Sequence, residues 1–552
     1  MNFLALAALV AVACQPAHAL WPQPTSIETG STTLKLSPVF TIAVSGLGVP
    51  NDVWDAVFRT EAALNKDKLG RLVVGRGASD ASSFSKAKTL SKLTLSLEKG
   101  AKWTSITSEA QKAPEDRDEA YHLTIPSDGA AATLTANSTL GLYRGLTTFG
   151  QFWYEHSGTT YTVDAPVKIQ DAPAYPYRGF MLDTARNFFP VADIKRTLDA
   201  MSMVKLNQFH WHIVDSQSFP LQIPGFTDLA AKGAYDASKV YTANDVKDIV
   251  SYAGARGIDV MVEIDTPGHT AIIAEAHPEF IACPGATPWA TYANEPPAGQ
   301  LRFADADVTK YIGDLFRAVS KLFPSTMFST GGDELNTNCY DIDEPTQATL
   351  NSTGRTLEQA LDDFTKSTHK VLQDSGKTPV VWEEMVLDHN VTLSADTKVI
   401  VWISSANVKA VAESGHKLIH GASDYFYLDC GHGAWVGDFP TGNSWCDPFK
   451  SWQLSYTFDP VANLTADETK LVLGGQHLLW AEQSGPSNLD DTVWPRAASS
   501  AELFWTGPGG NVSTALPRLH DVAYRMRQRG INAIALQPEW CALRPGACDL
   551  TA

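Results

Sequence analysis

From Arg178 onward the chain repeats one pattern. A short run of apolar, β-branched or aromatic residues is followed by a longer stretch whose apolar residues recur three and four apart. The short runs are RGFMLDTA (178–185), QFHWHIVD (208–215), DVMVEIDTP (259–267), TMFSTGGDE (326–334), PVVWEEM (379–385), VIVWISS (399–405), YFYLD (425–429) and LLWAE (478–482). VADIKRTLDAMSMVK, TANDVKDIVSYAGARG, ADVTKYIGDLFRAVSKLF and TLEQALDDFTKSTHKVLQDSG carry the helical period between several of them, and ALPRLHDVAYRMRQRG carries it near the end. Repeated strand–helix alternation predicts a parallel sheet. Eight units in this stretch predict a (β/α)8 barrel with long insertions.

The preceding region reads differently. KLTLSLE (92–98) and YHLTIP (121–126) alternate apolar and polar residues like strands with one buried face. NDVWDAVFRTEAALNK (51–66) and STLGLYRGLTTFGQFW (138–153) have the helical period. DAPAYPYRG (171–179), punctuated by prolines, marks a boundary. The reading is therefore an α/β chain: a smaller α+β domain over 20–172, then a TIM barrel over 173–552.

In such a barrel the chemistry sits where the strands end. The predicted strand ends are rich in carboxylates, His and Trp: Asp183 and Arg186, His212 and Asp215, Glu263, Asp265 and His269, Asp333 and Glu334, Trp382 with Glu383 and Glu384, Trp402, Tyr427 and Asp429, Trp480 and Glu482. Core packing does not account for this, because an unpaired buried carboxylate is costly. FSTGGDELN raises the sharpest question, since Asp333 and Glu334 follow Gly331-Gly332 as adjacent like charges. Neighbouring strand residues point to opposite faces, so both acids reach one pocket only if the strand ends or bulges at the glycines.

Composition narrows the ligand. The 552 residues include 15 Trp, whose flat apolar faces suit sugar rings, and the net charge of −18 argues against nucleic acid and anionic membrane surfaces. The opening MNFLALAALVAVACQPAHAL has the apolar run and the Ala17-His18-Ala19 site of a secretory signal peptide over 1–19, and no stretch is long enough to span a membrane. Secretion, to the exterior or to a vacuolar-lysosomal compartment, permits disulfides. Six cysteines remain after Cys14, and six allow 15 pairings; closeness in sequence favours Cys541–Cys548 and Cys430–Cys446, leaving Cys283–Cys339. Sequons at Asn137, Asn351, Asn390, Asn463 and Asn511 are candidate glycan sites. No Cys-x-x-Cys or His-x-x-x-His spacing suggests a metal, and no cofactor is expected.

YRGFMLDTARNF, NQFHWHIVDSQSFP, IDTPGHT, TGGDE, YFYLD and LLWAE, in this order, resemble the β-N-acetylhexosaminidases of glycoside hydrolase family 20, and the likeness covers about two-thirds of the chain. The resemblance implies removal of terminal β-linked N-acetylhexosamine from oligosaccharides or glycoconjugates, with the substrate's own acetamido oxygen as nucleophile. It implies Glu334 as general acid and then base, Asp333 as partner of the acetamido N–H, and Tyr427 as donor to the acetamido oxygen. Arg178, Asp429 and Glu482 would bind sugar hydroxyls. Trp382, Trp402 and Trp480 would wall the pocket, and Asp215 with His269 would support Glu334. An ionised Asp333 is expected to raise the pKa of Glu334. Members of the family are often homodimers.

Two departures stand out: Ser329 occupies a position where many relatives have His, and Ser216 one where a second Asp is frequent. The acidic Asp429 implies a neutral sugar. The alternatives are a chitinase-like endo-glycosidase, or a protein that binds N-acetylhexosamine without turning it over.

Overall fold

The computed structural model describes residues 19–438, 440 and 442–552. Of the signal peptide expected over 1–19, residues 1–18 lie outside them.

The N-terminal region forms one six-stranded sheet. Its strands are β1 (Ser26–Ser45), β2 (Lys88–Leu97), β3 (Tyr121–Ile125), β4 (Ala132–Ala136), β5 (Tyr154–His156) and β6 (Thr159–Asp171), in the order β1-β2-β4-β3-β6-β5. The alternation in YHLTI is realised as strict in–out burial, with Tyr121, Leu123 and Ile125 inside. The helices Asn51–Lys66 and Thr139–Gln151 pack against each other beside the sheet.

The chain then enters a closed parallel barrel. The strands are β7 (Tyr177–Asp183), β8 (Gln208–Val214), β9 (Asp259–Ile264), β12 (Met327–Ser329), β13 (Thr378–Trp382), β14 (Lys398–Val401), β15 (Lys417–His420) and β16 (Val472–Leu479). A two-residue hairpin pair, β10 (Ile281–Ala282) and β11 (Gln300–Leu301), interrupts the connection after β9. Outer helices follow the predicted periods. Ala243–Gly254 and Leu357–Asp374 each begin with a reciprocal capping box, Thr242 with Asp245 and Thr356 with Gln359.

Two strands lie elsewhere than the pattern predicts. YFYLD is not the seventh strand. That strand is Lys417–His420, too short to stand out in the sequence, while Ser423–Phe426 is a helical turn and Tyr427 pairs with Leu478 by a single bridge. The eighth strand starts at Val472, so LLWAE is its exit. Gly474 and Gly475 disguise its first half; a Cβ on Gly474 would lie 1.9 Å from the Tyr177 carbonyl oxygen, so strand pairing itself demands a glycine there.

The bottom of the barrel is sealed by the N-terminal region through buried ion pairs. Glu119 accepts from Arg144 Nε at 2.7 Å and from Arg178 Nη2 at 2.6 Å. Arg117 meets Asp259 at 3.2 Å, and Lys205 meets Asp171 at 3.0 Å. Burial pushes the Glu119 carboxyl up, but Arg178 and Arg144 outweigh it and hold it at about 2. Its contribution is therefore present above the ordinary glutamate value and is lost as pH falls toward about 2. Glu119→Gln leaves two guanidinium groups buried without their carboxylate. The expected loss is about 3–5 kcal/mol of stability at neutral pH, read as a lowered urea midpoint; an unchanged midpoint would contradict the assigned role.

Candidate active site

The exits of the barrel strands surround a cavity of about 290 Å³. The predicted acid pair lines it. β12 is only three residues long, and the backbone then turns through positive φ at Gly331 (68°), Gly332 (99°) and Glu334 (56°). A Cβ on Gly331 would lie 1.8 Å from Asp265 Oδ1, and one on Gly332 would lie 2.6 Å from Met385 Cγ. The glycines thus end the strand, and both Asp333 and Glu334 face the same cavity. Glu334 itself holds a left-handed conformation that a non-glycine residue adopts at a cost of about 1–3 kcal/mol.

His269 joins the acids to the wall behind them. Its Nδ1 lies 3.0 Å from Asp215 Oδ1, and its Nε2 lies 3.3 Å from Glu334 Oε2 and 3.6 Å from Asp333 Oδ2. The predicted Asp215–His269 pair is therefore assembled. Asp215 also receives Arg186 Nη2 at 3.0 Å and His212 Nε2 at 2.7 Å. Burial opposes its charge, but Arg186 and the two histidines hold its carboxyl well below the usual range.

Asp333 behaves differently from expectation. Burial pushes its carboxyl well up, and Asp265, Glu384 and Glu334 add to the push while His269 opposes it. Asp265 lies close: its carboxylate, that of Asp333 and a ring nitrogen of His269 fall within 4.8 Å of one another. Burial raises Asp265 to about 6. The two buried aspartates cannot both be comfortably ionised, and Asp333 is the one displaced furthest from an ordinary carboxylate.

Aromatic groups wall the cavity. Trp402 stacks on Tyr427 with centroids 6.3 Å apart, and its indole N–H donates to Glu384 at 2.7 Å. Trp480 lines the cavity, and Arg186 lies 5.0 Å over its ring. Trp382 stands one layer behind, 6.1 Å from Trp480, and is not on the cavity surface. Burial raises the Tyr427 phenol well above its ordinary value while the Trp480 indole opposes it, so it stays a proton donor; its hydroxyl proton finds no acceptor among the described residues. Asp429 and Glu482 line the same cavity; burial raises Asp429 to about 7 and Glu482 well above the carboxylate range.

Arg178 is not in the site. It is the second residue of β7, at the barrel's closed end, fully buried between Glu119, the Lys205 and Tyr175 carbonyl oxygens and the Trp505 ring. Five residues at about 3.3 Å each separate it from the strand's exit. The cationic group in the cavity is Arg186, which bonds Asp183 and Glu295 as well as Asp215. The strand-end rule alone would have chosen it. Glu295 had no such signal, because it arrives on the loop between β10 and β11. Trp289, Trp435 and Trp445 at the mouth were also not anticipated. Trp445 meets Trp402 edge-on at 5.7 Å and stands 64% exposed. Its loop is closed by the Cys430–Cys446 disulfide; Cys283–Cys339 and Cys541–Cys548 are also bonded. Of the two departures, the Ser329 hydroxyl donates to Glu263 and the Ser216 amide donates to Asp215 at 2.5 Å.

A (β/α)8 barrel with acids and tryptophans gathered at its strand exits is the architecture of a carbohydrate-active barrel protein. Comparison with known proteins makes this specific. The profile of the glycosyl hydrolase family 20 catalytic domain matches residues 175–508, and that of a beta-acetyl hexosaminidase-like domain matches 20–152. The chain belongs to glycosyl hydrolase family 20. It is 37% identical over 482 residues to a beta-hexosaminidase of Arthroderma benhamiae, covering 81% of this chain and 78% of that one. It is also 37% identical over 454 residues to a chitooligosaccharidolytic beta-N-acetylglucosaminidase of Bombyx mori, covering 78% and 75%. The fold matches that of Flavobacterium johnsoniae chitobiase with a TM-score of 0.73 at 25% identity, over 94% of this chain and 73% of that one.

The Asp333 environment is testable directly. Asp265→Asn removes a like charge while keeping an oxygen to accept the Gly332 amide, a bond of 3.0 Å. Removing a like charge lowers the neighbour's pKa, so the Asp333 carboxyl should titrate lower by about one unit in carbon-13 spectra of aspartate-labelled protein. No movement would show that Asp265 is not the cause.

Proposed function

We propose that this protein is an exo-acting β-N-acetylhexosaminidase that removes terminal, non-reducing N-acetylglucosamine or N-acetylgalactosamine by substrate-assisted, retaining hydrolysis. The observation that carries the reading is the convergence of Asp333, Glu334 and Tyr427 on one cavity walled by Trp402 and Trp480. In this reading Glu334 protonates the leaving oxygen as the glycosidic bond breaks. The acetamido oxygen bonds to the anomeric carbon, and Glu334 then takes a proton from the water that opens the oxazolinium. Asp333 pairs with the acetamido N–H as positive charge develops there, and the Tyr427 hydroxyl donates to the acetamido oxygen. Arg186, Asp429 and Glu482 hold the outer hydroxyls, and Trp382 backs the wall behind Trp480.

A pocket closed by Arg186, Glu295 and Glu482 favours exo over endo cleavage. The exposed Trp445 gives the next sugar an apolar face, which accords with chitooligosaccharides, the substrate class printed in the name of the Bombyx mori relative. Passage through the secretory pathway belongs to the same proposal. It is supported by three disulfides and by exposed asparagines at all five sequons, 137, 351, 390, 463 and 511. Among the described residues no helix is long and apolar enough to cross a membrane. A homodimer is carried as part of the proposal on the family resemblance alone.

Hydrolysis of a chromogenic N-acetyl-β-glucosaminide, beside the plain β-glucoside, tests the reading. Wild type should cleave the acetamido sugar alone. Glu334→Gln, Asp333→Asn and Tyr427→Phe should each lose about 10²–10³ in kcat. Equal cleavage of the plain glucoside would exclude the acetamido nucleophile. Binding without cleavage by wild type would favour a sugar-binding protein.

A further inference from the structure

The interiors of such barrels are usually filled with branched apolar side chains. Here several inward positions on neighbouring strands are polar and fully buried: Gln476 on β16, His210 and His212 on β8, Glu263 on β9 and Ser329 on β12. The strand period of two places them on the inner face, opposite outward residues such as Phe209, Trp211 and Val262.

They form one hydrogen-bonded chain. Tyr177 O–H donates to Gln476 Oε1 at 2.6 Å, and Gln476 Nε2 donates to His210 Nδ1 at 3.1 Å. His210 Nε2 meets Glu263 Oε2 at 2.8 Å, and Glu263 Oε1 meets His212 Nδ1 at 2.5 Å. His212 Nε2 then meets Asp215 Oδ2 and Asp215 Oδ1 meets His269 Nδ1; the hydrogen bonds end there, and His269 Nε2 faces Glu334 as an ion contact at 3.3 Å.

The donors and acceptors fix where the protons sit. Gln476 donates to His210 Nδ1, so His210 is neutral and carries its hydrogen on Nε2. Glu263 accepts from His210 and the Ser329 hydroxyl; burial opposes its charge, but the contacts with the two histidines outweigh it and hold its carboxyl well below the ordinary range, so it is ionised. His212 has a carboxylate oxygen at each ring nitrogen, and an ionised carboxylate cannot donate. Both ring nitrogens must carry hydrogen, which makes His212 a buried imidazolium.

We propose that the His212–Glu263 pair is the deep end of a proton-holding relay that sets the pH at which Glu334 releases its proton. His212 and Glu263 are positioning residues; neither lines the cavity. The inference rests on reading Glu334 as the acid. Its physical basis is the shared anion Asp215. The His212 cation neutralises one side of Asp215 and Arg186 reinforces it, which limits how strongly Asp215 draws the His269 proton. His212 is also faced by Asp265 from the exit of β9 and by the Trp480 ring edge at 4.9 Å. Glu334 is faced by His269, Asp333 and Glu384. Burial opposes the His212 charge, yet its bonds to Asp215 and Glu263 raise it to about 10, consistent with the geometry.

Two measurements test this. In wild type, nitrogen-15 spectra of histidine-labelled protein should show His212 protonated on both nitrogens at pH 8; a singly protonated His212 overturns the proposal. That result does not depend on turnover, so an inactive wild type would sink the proposed function while leaving the relay to be judged by the spectra. In kinetics, His212→Gln removes a cation, and Glu263→Gln removes the carboxylate that keeps His212 charged. Glu263→Gln removes an anion too, but His212 stands one residue closer to His269 along the hydrogen-bonded chain, so the loss of its charge dominates and both variants favour the protonated forms of His269 and Glu334. The alkaline limb of kcat/KM should move up by about one pH unit in both, with the double variant no further than the larger single shift and Glu263→Asp near wild type. Variants that lose stability but keep the wild-type alkaline limb would make the pair purely structural and overturn the proposal.

Discussion

The site depends on one buried anion. Asp215 directly follows β8 and receives Arg186 from the exit of β7, His212 from β8, and His269 from the loop after β9. An ion of this kind loses its hydration on folding, and only close, well-oriented partners restore what is lost. Three cationic donors on three elements meet that requirement together. They fix the spacing of the first three strand exits, aim His269 at the acid pair, and bring Arg186 under Trp480. Glu295 completes the arrangement by capping Arg186 from the β10–β11 loop.

Around this anion the cavity is dominated by carboxyl groups that burial pushes upward. Asp333, Asp429 and Glu482 on the cavity wall are raised in this way, and behind the wall Glu384 is raised to about 8, Glu383 to about 7 and Asp265 to about 6. Such groups are poorly served by an anionic ligand. Neutral hydroxyls and an amide N–H can pair with them whether they are protonated or ionised, because a carboxyl group can donate or accept accordingly. The electrostatics of the cavity thus suit a neutral, hydroxyl-rich ring. The tryptophans supply apolar faces for its C–H surface.

The other end of the barrel solves a different problem. Arg117, Arg144, Arg178 and Lys205 are buried where the N-terminal sheet meets the strand starts, each beside Glu119, Asp259 or Asp171. The smaller region is therefore more than an appendage, because its Glu119 neutralises an arginine of the first barrel strand. The same arginine motif, read along the chain, looks like a ligand clamp, and three-dimensional direction alone separates the two roles.

Much was legible in the sequence because it is written in local periods. Alternation and helical spacing identified the barrel and six of its strands closely, and the Gly-Gly step before Asp333 announced that the fourth strand must stop there. Closeness along the chain also ranked the cysteine pairs as they are found. The seventh and eighth strands were misplaced because a four-residue strand and a strand opening on Gly474-Gly475 carry too little side-chain pattern to read. Tertiary structure alone decided which end of β7 faces the cavity, and so exchanged Arg178 for Arg186. It also brought in Glu295 and Trp445 from loops without period, moved Trp382 to a second layer, and joined His210, Glu263 and His212 into one chain across two neighbouring strands. Local sequence records which face a residue lies on, since that follows from the backbone's period. Which distant groups share a low-dielectric space, and therefore which of them carry protons, depends on closure of the barrel.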